Sequence, residues 1–196
     1  FYEIFVYSFC DSNGDGIGDI NGIISKLDYL NDGDPNSGND LGIDGIWLMP
    51  IMPSSTYHKY DVIDYYDIDP DYGTLDDFKR LIEECHKRGI KLIIDLVLNH
   101  CSSENKLFLD MCSQLKENKL DQNAEMFSIG KGENVPKNCY RIDGTDYFYE
   151  ANFDIGMPEF NLSSEKTRAE FKKIMKFWLD LGVDGFRLDA VKYYDG

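Results

Sequence analysis

The chain has 196 residues, 42% of them hydrophobic, enough for one packed core or a core with a small subdomain. No apolar run approaches the ~20 residues a membrane span needs. Lys and Arg number 20 against 36 Asp and Glu, a net charge of −16; such a surface repels phosphate backbones and argues against nucleic acid, while neutral ligands meet no such barrier.

Tyr2 to Phe9, rich in β-branched and aromatic residues, predicts a buried strand. Ile20 to Leu30 sets Ile23, Ile24, Leu27 and Leu30 at helical spacing. Ile43 to Met49 predicts a second strand, stopped by Pro50 and Pro53. Thr74-x-x-Asp77 signals a helix start. Leu75, Phe78, Leu81, Ile82 and Cys85 form its apolar stripe, and Gly89 its end. Lys91 to Leu98 is nearly all apolar, as expected of a parallel strand covered on both faces. From Cys101 to Met157 polar residues dominate and no long helix of clear period is predicted; a stretch of that length implies an inserted subdomain. Glu165 to Leu181 predicts a helix with Phe171, Ile174, Met175, Trp178 and Leu181 on one side, closed by Gly182. Val183 to Leu188 is the fourth predicted strand.

Strands alternating with helices imply an α/β fold with a parallel sheet. The expected architecture is the N-terminal half of a (β/α)8 TIM barrel with an insert after strand 3. Residues 1–100 supply three β/α units, 101–157 the insert, and 158–196 the barrel continued through strand 4. Both ends of the chain predict a piece of a longer protein. The rival, a doubly wound nucleotide-binding sheet, needs a G-x-G-x-x-G turn after its first strand. Asn13 to Gly18 has three glycines in another order, with acids where a pyrophosphate would sit.

Asp11, Asn13, Asp15, Ile17 and Asp19 place oxygen donors at every second residue of a Gly-rich loop. Hard cations take six to eight oxygens, so this loop is expected to hold a structural Ca²⁺, with the Ile17 carbonyl as one ligand. The likeness to an EF-hand is local: Gly22 stands at the twelfth position, and a predicted strand leads in. The alternative is an acidic turn held by its own hydrogen bonds. The five cysteines (Cys10, Cys85, Cys101, Cys112 and Cys139) match no zinc spacing; Cys85 is expected in the core, and one disulfide among the last three stays open.

Barrel enzymes carry their chemistry at the C-terminal strand ends. Strand 2 is followed by Tyr60 and Asp61, strand 3 ends in Asp95 to His100, and strand 4 ends in Arg187 and Asp189. Side chains alternate along a strand, so Arg187 and Asp189 share a face, and the guanidinium keeps the carboxylate ionised. An ionised carboxylate there can act as a nucleophile. A structural ion pair has the same pattern.

Together these groups resemble the α-amylase superfamily of glycoside hydrolases, over essentially the whole chain. The segments that carry the likeness are Gly45-Ile-Trp-Leu-Met-Pro50, Asp95-Leu-Val-Leu-Asn99-His100, Met157-Pro-Glu-Phe-Asn161 and Gly185-Phe-Arg-Leu-Asp189-Ala-Val-Lys192. The pattern is similar to bacterial α-amylases near the intermediate group of oligo-1,6-glucosidases and neopullulanases. The resemblance implies that the insert is the family's B domain and that the reaction is retaining hydrolysis of α-1,4-glucosidic bonds in starch-like glucans. By position, Asp189 would be the nucleophile and Arg187 its partner. Tyr60 and His100 would line the subsite of the attacked glucose, and Lys192 would touch the leaving side. The alternatives are an α-glucosidase, oligo-1,6-glucosidase or transglycosylase, or a non-catalytic glucan-binding relative.

The family's general acid, a Glu after strand 5, has no counterpart in these residues, so the chain alone is expected to be inactive. A half barrel would also expose sheet edges and favour self-association. By analogy the setting is extracellular or cell-surface, with no signal peptide in this chain. Two departures stand out: Lys59 occupies a usual Gly position, and Tyr193 one where many members have His.

Overall fold

The computed structural model describes residues 1–117, 119 and 123–194. Residues 118, 120–122, 195 and 196, within the predicted insert and at the end of the last predicted segment, lie outside the described residues. In chain order the elements are β1 (Tyr2–Ile4), α1 (Val6–Phe9), α2 (Ile20–Ser25), α3 (Leu27–Leu30), β2 (Gly45–Leu48), α4 (Leu75–Lys87) and β3 (Lys91–Leu96). They continue through α5 (Lys106–Lys116), β4 (Ile129–Lys131), β5 (Cys139–Arg141), β6 (Tyr147–Glu150), α6 (Glu165–Leu181) and β7 (Gly185–Leu188).

Four strands form one parallel sheet in the order β1-β2-β3-β7. Residues alternate between its faces. Ile46, Leu48, Leu92, Ile94 and Leu96 are fully buried. The intervening positions carry Trp47, Asp95 and Arg187, which meet one another on the opposite face. α4 begins with a reciprocal cap: Thr74 Oγ1 accepts from Asp77 N at 3.2 Å, and Asp77 Oδ2 accepts from Thr74 N at 3.0 Å. α6 ends where Gly182 takes φ 112°, a left-handed turn that suits glycine. Phe78 of α4 meets Trp178 of α6 edge-on at 5.5 Å, and the buried Trp178 indole donates to Tyr65 O at 2.9 Å.

The first predicted strand is shorter than expected. β1 stops at Ile4, and residues 6–9 make a single helical turn. Among the described residues β1 pairs with β2 alone, which ends at Leu48, and Met49 N donates to Ile4 O at 3.0 Å. A helical turn, not a strand, therefore leads into the acidic loop. The predicted helix over Ile20 to Leu30 is two helices broken at Lys26 (φ −110°, ψ 3°).

Between β3 and α6 the chain builds a separate antiparallel sheet, β4-β6-β5. The segment also holds α5, a helix absent from the sequence-based expectation. Its signals are visible in hindsight: Asn105 caps it by accepting from Leu107 N at 2.9 Å, and Phe108, Met111 and Leu115 recur at helical spacing and are buried. All five cysteines are free thiols, and Cys85 is fully buried. Among the described residues no helix is long and apolar enough to cross a membrane.

Candidate active site

The C-terminal ends of β2, β3 and β7 open onto one cavity of about 600 Å³. Thr56, His58, Tyr60 and Asp61 enter it from the loop after β2, and His100 from the segment after β3. Phe153, Asp154, Gly156 and Met157 line it from the segment that follows β6, and Asp189 stands just past the end of β7.

Asp189 is held by Arg187, whose Nη1 lies 2.5 Å from its Oδ1. The same Nη1 reaches both oxygens of Asp95 at 3.1 Å. The guanidinium carbon lies 5.0 Å from the centre of the Trp47 ring, a cation–π contact. Tyr60 completes the network by donating its hydroxyl to Asp95 Oδ2 at 3.2 Å. Thus one cation serves two carboxylates, one buried and one at the cavity.

The environment sets each charge. Burial pushes the Asp95 carboxyl up to about 6, although Arg187 pulls against it. Burial disfavours charge on Arg187 too, but Asp95 and Asp189 more than offset this and hold its pKa above the ordinary value. Burial also raises the Tyr60 phenol, helped by Asp95, so Tyr60 stays a neutral donor. His100 is 2% exposed, and burial lowers its pKa, keeping the imidazole neutral at pH 7. Its Nε2 is buried with no hydrogen-bond partner among the described residues, a vacant polar contact on a cavity-lining side chain.

The structure brings Asp189, Arg187, Tyr60 and His100 together at one end of the sheet. Lys192 is not in that cavity. It lines an adjoining groove of about 300 Å³ with Glu150, Asn152 and Tyr193, and its Nζ sits 5.0 Å from the Tyr193 ring. Asp95 was visible only as part of a strand-end segment. Its signal is an acid inside an otherwise apolar run, Lys91 to Leu98, which demands a buried cation. Phe153 and Asp154 carried no signal, because their placement depends on how the insert folds back; the Phe153 ring packs 5.0 Å from His100 and 5.0 Å from Tyr193.

In the acidic loop, three successive Asx turns curl the chain: Asp11 Oδ1 accepts from Asn13 N, Asn13 Oδ1 from Asp15 N, and Asp15 Oδ1 from Ile17 N, at 2.8–3.0 Å. Asp19 is buried and caps α2, accepting from Gly22 N at 2.6 Å and from Ser12 N at 2.8 Å. Gly18 and Gly22 are required here, since a Cβ on either would run into the carbonyl oxygen of Val6 or Cys10. Hydrogen bonds from Gly16 and Gly14 lower the Asp11 pKa and keep it anionic. Among the described residues no three His, Cys, Asp or Glu side chains converge as a metal-holding group. The donor chemistry, carboxylates and an amide with a carbonyl at Ile17, is nevertheless that of a hard-cation loop.

A parallel sheet with an acid–arginine pair and a cavity at its C-terminal strand ends is an α/β arrangement, with the cavity at the end where barrel enzymes keep their chemistry. Residues 3–196 match the sequence profile described as alpha amylase, catalytic domain. Alpha-amylase 3 of Dictyoglomus thermophilum is 48% identical over 196 residues, covering 100% of this chain and 37% of that protein. Oligo-1,6-glucosidase of Parageobacillus thermoglucosidasius is 41% identical over 200 residues, covering 97% of this chain and 34% of the relative. The solved structure of Eubacterium rectale Amy13B superposes with a TM-score of 0.90 at 48% identity, covering 100% of this chain and 37% of that one. The chain belongs to the α-amylase family, and its sheet is the N-terminal part of that family's TIM barrel. It spans about a third of the length of the curated relatives it matches.

Proposed function

We propose that the protein carrying this chain is a retaining glycoside hydrolase acting on α-1,4-glucosidic bonds in starch-like glucans. The observation that carries the reading is Asp189, gripped by Arg187 at 2.5 Å, in a cavity shared with Tyr60 and His100. Asp189 attacks the anomeric carbon as the glycosidic C–O bond breaks, forming a covalent glycosyl-enzyme. The leaving oxygen takes its proton from a second carboxyl group, typically ~5–5.5 Å from the nucleophile in retaining enzymes. Water then releases the sugar with its configuration retained. Neutral His100 and Tyr60 offer uncharged hydrogen-bonding groups to the sugar held against Asp189. Lys192, in the adjoining groove, contacts the leaving part of the chain.

Residues 1–100 and 158–196 form the barrel portion and 101–157 the B domain. Asp11, Asn13, Asp15, Ile17 and Asp19 hold a structural Ca²⁺, which would tie the loop together without touching the reaction.

The test is product analysis of the full-length protein on maltoheptaose, with NMR detection of the first-formed anomer. Short α-maltooligosaccharides support the endo-acting α-1,4 reading. Glucose released singly, or cleavage of isomaltose alone, favours the α-glucosidase or oligo-1,6-glucosidase alternative, which the likeness to the Parageobacillus enzyme keeps open. Binding without hydrolysis favours a non-catalytic relative.

A further inference from the structure

Lys59 joins two locally unfavourable features. Its φ is 62°, in the region that favours glycine, and its side chain is 4% exposed. Its Nζ lies 2.8 Å from Asp69 Oδ2, 3.4 Å from Asp71 Oδ2 and 5.2 Å from the centre of the Tyr72 ring. The amine thus points into the protein, while its neighbours His58, Tyr60 and Asp61 line the active-site cavity.

Asp69 is the anchor. It is 2% exposed, and the oxygen that meets Lys59 also accepts from Ser54 N at 3.1 Å. Its other oxygen accepts from Asp71 N at 3.0 Å. One carboxylate oxygen therefore grips the loop at two points, Ser54 at its entry and Lys59 just before Tyr60. The loop's hydroxyls are engaged elsewhere: Ser54 and Thr56 both donate to Asp61, the former at 2.6 Å. Among the described residues no helix or strand lies between β2 and α4 to hold this stretch.

A buried ion pair contributes little net stability compared with an apolar replacement of similar size. A left-handed non-glycine residue adds strain. Both occur at the residue that precedes two cavity-lining side chains, so geometry is the benefit. We infer that Lys59 is a positioning residue: its ammonium, clamped by Asp69, fixes the left-handed turn that delivers Tyr60 and Asp61 to the cavity. The consequence for substrate rests on the glycosidase reading; the consequence for loop order does not.

The test compares Lys59→Met and the double variant Lys59→Met/Asp69→Asn with the parent, all in the full-length protein. The single variant leaves Asp69 buried and unpaired and melts lower. The double variant removes both charges and regains the parental melting temperature. It is nonetheless expected to lose roughly tenfold in kcat/KM on maltoheptaose, mostly through KM, because Tyr60 and Asp61 no longer sit where the bound sugar needs them. Amide hydrogen exchange at residues 57–61 is expected to accelerate by about tenfold while β3 amides keep their protection. Parental exchange at 57–61 in the double variant overturns the inference whatever the activity. Parental kcat/KM in an active parent overturns it as well. A parent that cleaves no α-glucoside refutes the glycosidase reading alone, and hydrogen exchange still decides the role of Lys59.

Discussion

Asp95 and Arg187 face each other in register across β3 and β7, and a single guanidinium nitrogen lies 3.1 Å from both Asp95 oxygens. The pairing holds Arg187 beside Asp189 from behind, through the buried Asp95 carboxylate. Asp95 has a fully buried side chain, whereas that of Asp189 is 17% exposed. The buried acid thus fixes the arginine, and the arginine presents the accessible acid.

Replacing Asp189 by Asn should abolish turnover by the full-length protein, by on the order of 10³-fold or more, as when an enzyme's nucleophile is removed. Folding should be preserved, because Arg187 retains Asp95. Wild-type rates on maltoheptaose in Asp189→Asn would refute the assignment of the nucleophile.

Arg187→Met should cost far more stability. It leaves the Asp95 carboxylate buried beside Asp189 with no cation, and breaking a buried pair from one side costs ~3–5 kcal/mol. The lower end applies, since the Arg187 side chain is 35% exposed. Urea denaturation of the double variant Arg187→Met/Asp95→Asn should recover much of that loss. No recovery would mean that the arginine stabilises the fold mainly through contacts other than Asp95.

The raised pKa of Asp95 gives a pH signature. Burial lifts it from 3.8 to about 6, so the folded state holds the proton more tightly than the unfolded chain. The associated stability is fully present below 3.8 and is lost as pH rises through about 6. Acids with lowered values, such as Asp77 and Asp184, act in the opposite sense at lower pH, so the absolute curve mixes both. The difference between parent and Asp95→Asn isolates the effect: between pH 4 and pH 6 the parent should lose on the order of 2–3 kcal/mol relative to the variant. Parallel stability curves over that range would show that Asp95 does not titrate there.

Thr74→Ala removes the hydroxyl that accepts from Asp77 N and one half of the reciprocal cap on α4. The expected loss is ~1 kcal/mol, a fall of about 2–4 °C in melting temperature for a chain of this size. Activity per folded molecule should be unchanged, because Thr74 does not line the cavity. A neutral substitution would mean that the end of α4 is held by its packing alone.

The frame of this fold was legible wherever a local rule and the tertiary structure agree. Thr74 and Asp77, Gly182, and the apolar run of β3 each carry a short-range signal, and each element forms there. Legibility ended where partners decide. β1 gives way to a helical turn after Ile4, which no periodicity within Tyr2 to Phe9 reveals. α5 was hidden by polar neighbours, although Phe108, Met111 and Leu115 had helical spacing. In the site, Arg187 and Asp189 are neighbours in sequence and were readable. Asp95 acquires its role only through strand register, and Phe153 only through the fold of the insert. Lys59 shows the reverse case, a departure from the usual glycine that keeps a glycine-like φ.

Calcium offers the sharpest test of the acidic loop. Asp11, Asn13 and Asp15 are exposed, and their side-chain oxygens are already ordered by the loop's own N–H groups. Two carboxylates, Asp11 and Asp15, gathered with an amide on one folded loop favour a divalent cation, which should bind the folded state and not the unfolded one. At 100 times its dissociation constant such an ion adds ~2.7 kcal/mol. Melting in Ca²⁺ should therefore exceed melting in EGTA by several degrees. Asp15→Asn should abolish most of that increment while changing the EGTA curve little, because the amide oxygen of Asn still accepts from Ile17 N. Mg²⁺ should substitute poorly, since it demands near-ideal octahedral geometry and gives up water reluctantly. Identical melting in Ca²⁺ and EGTA would show instead that the Asx turns alone hold this loop.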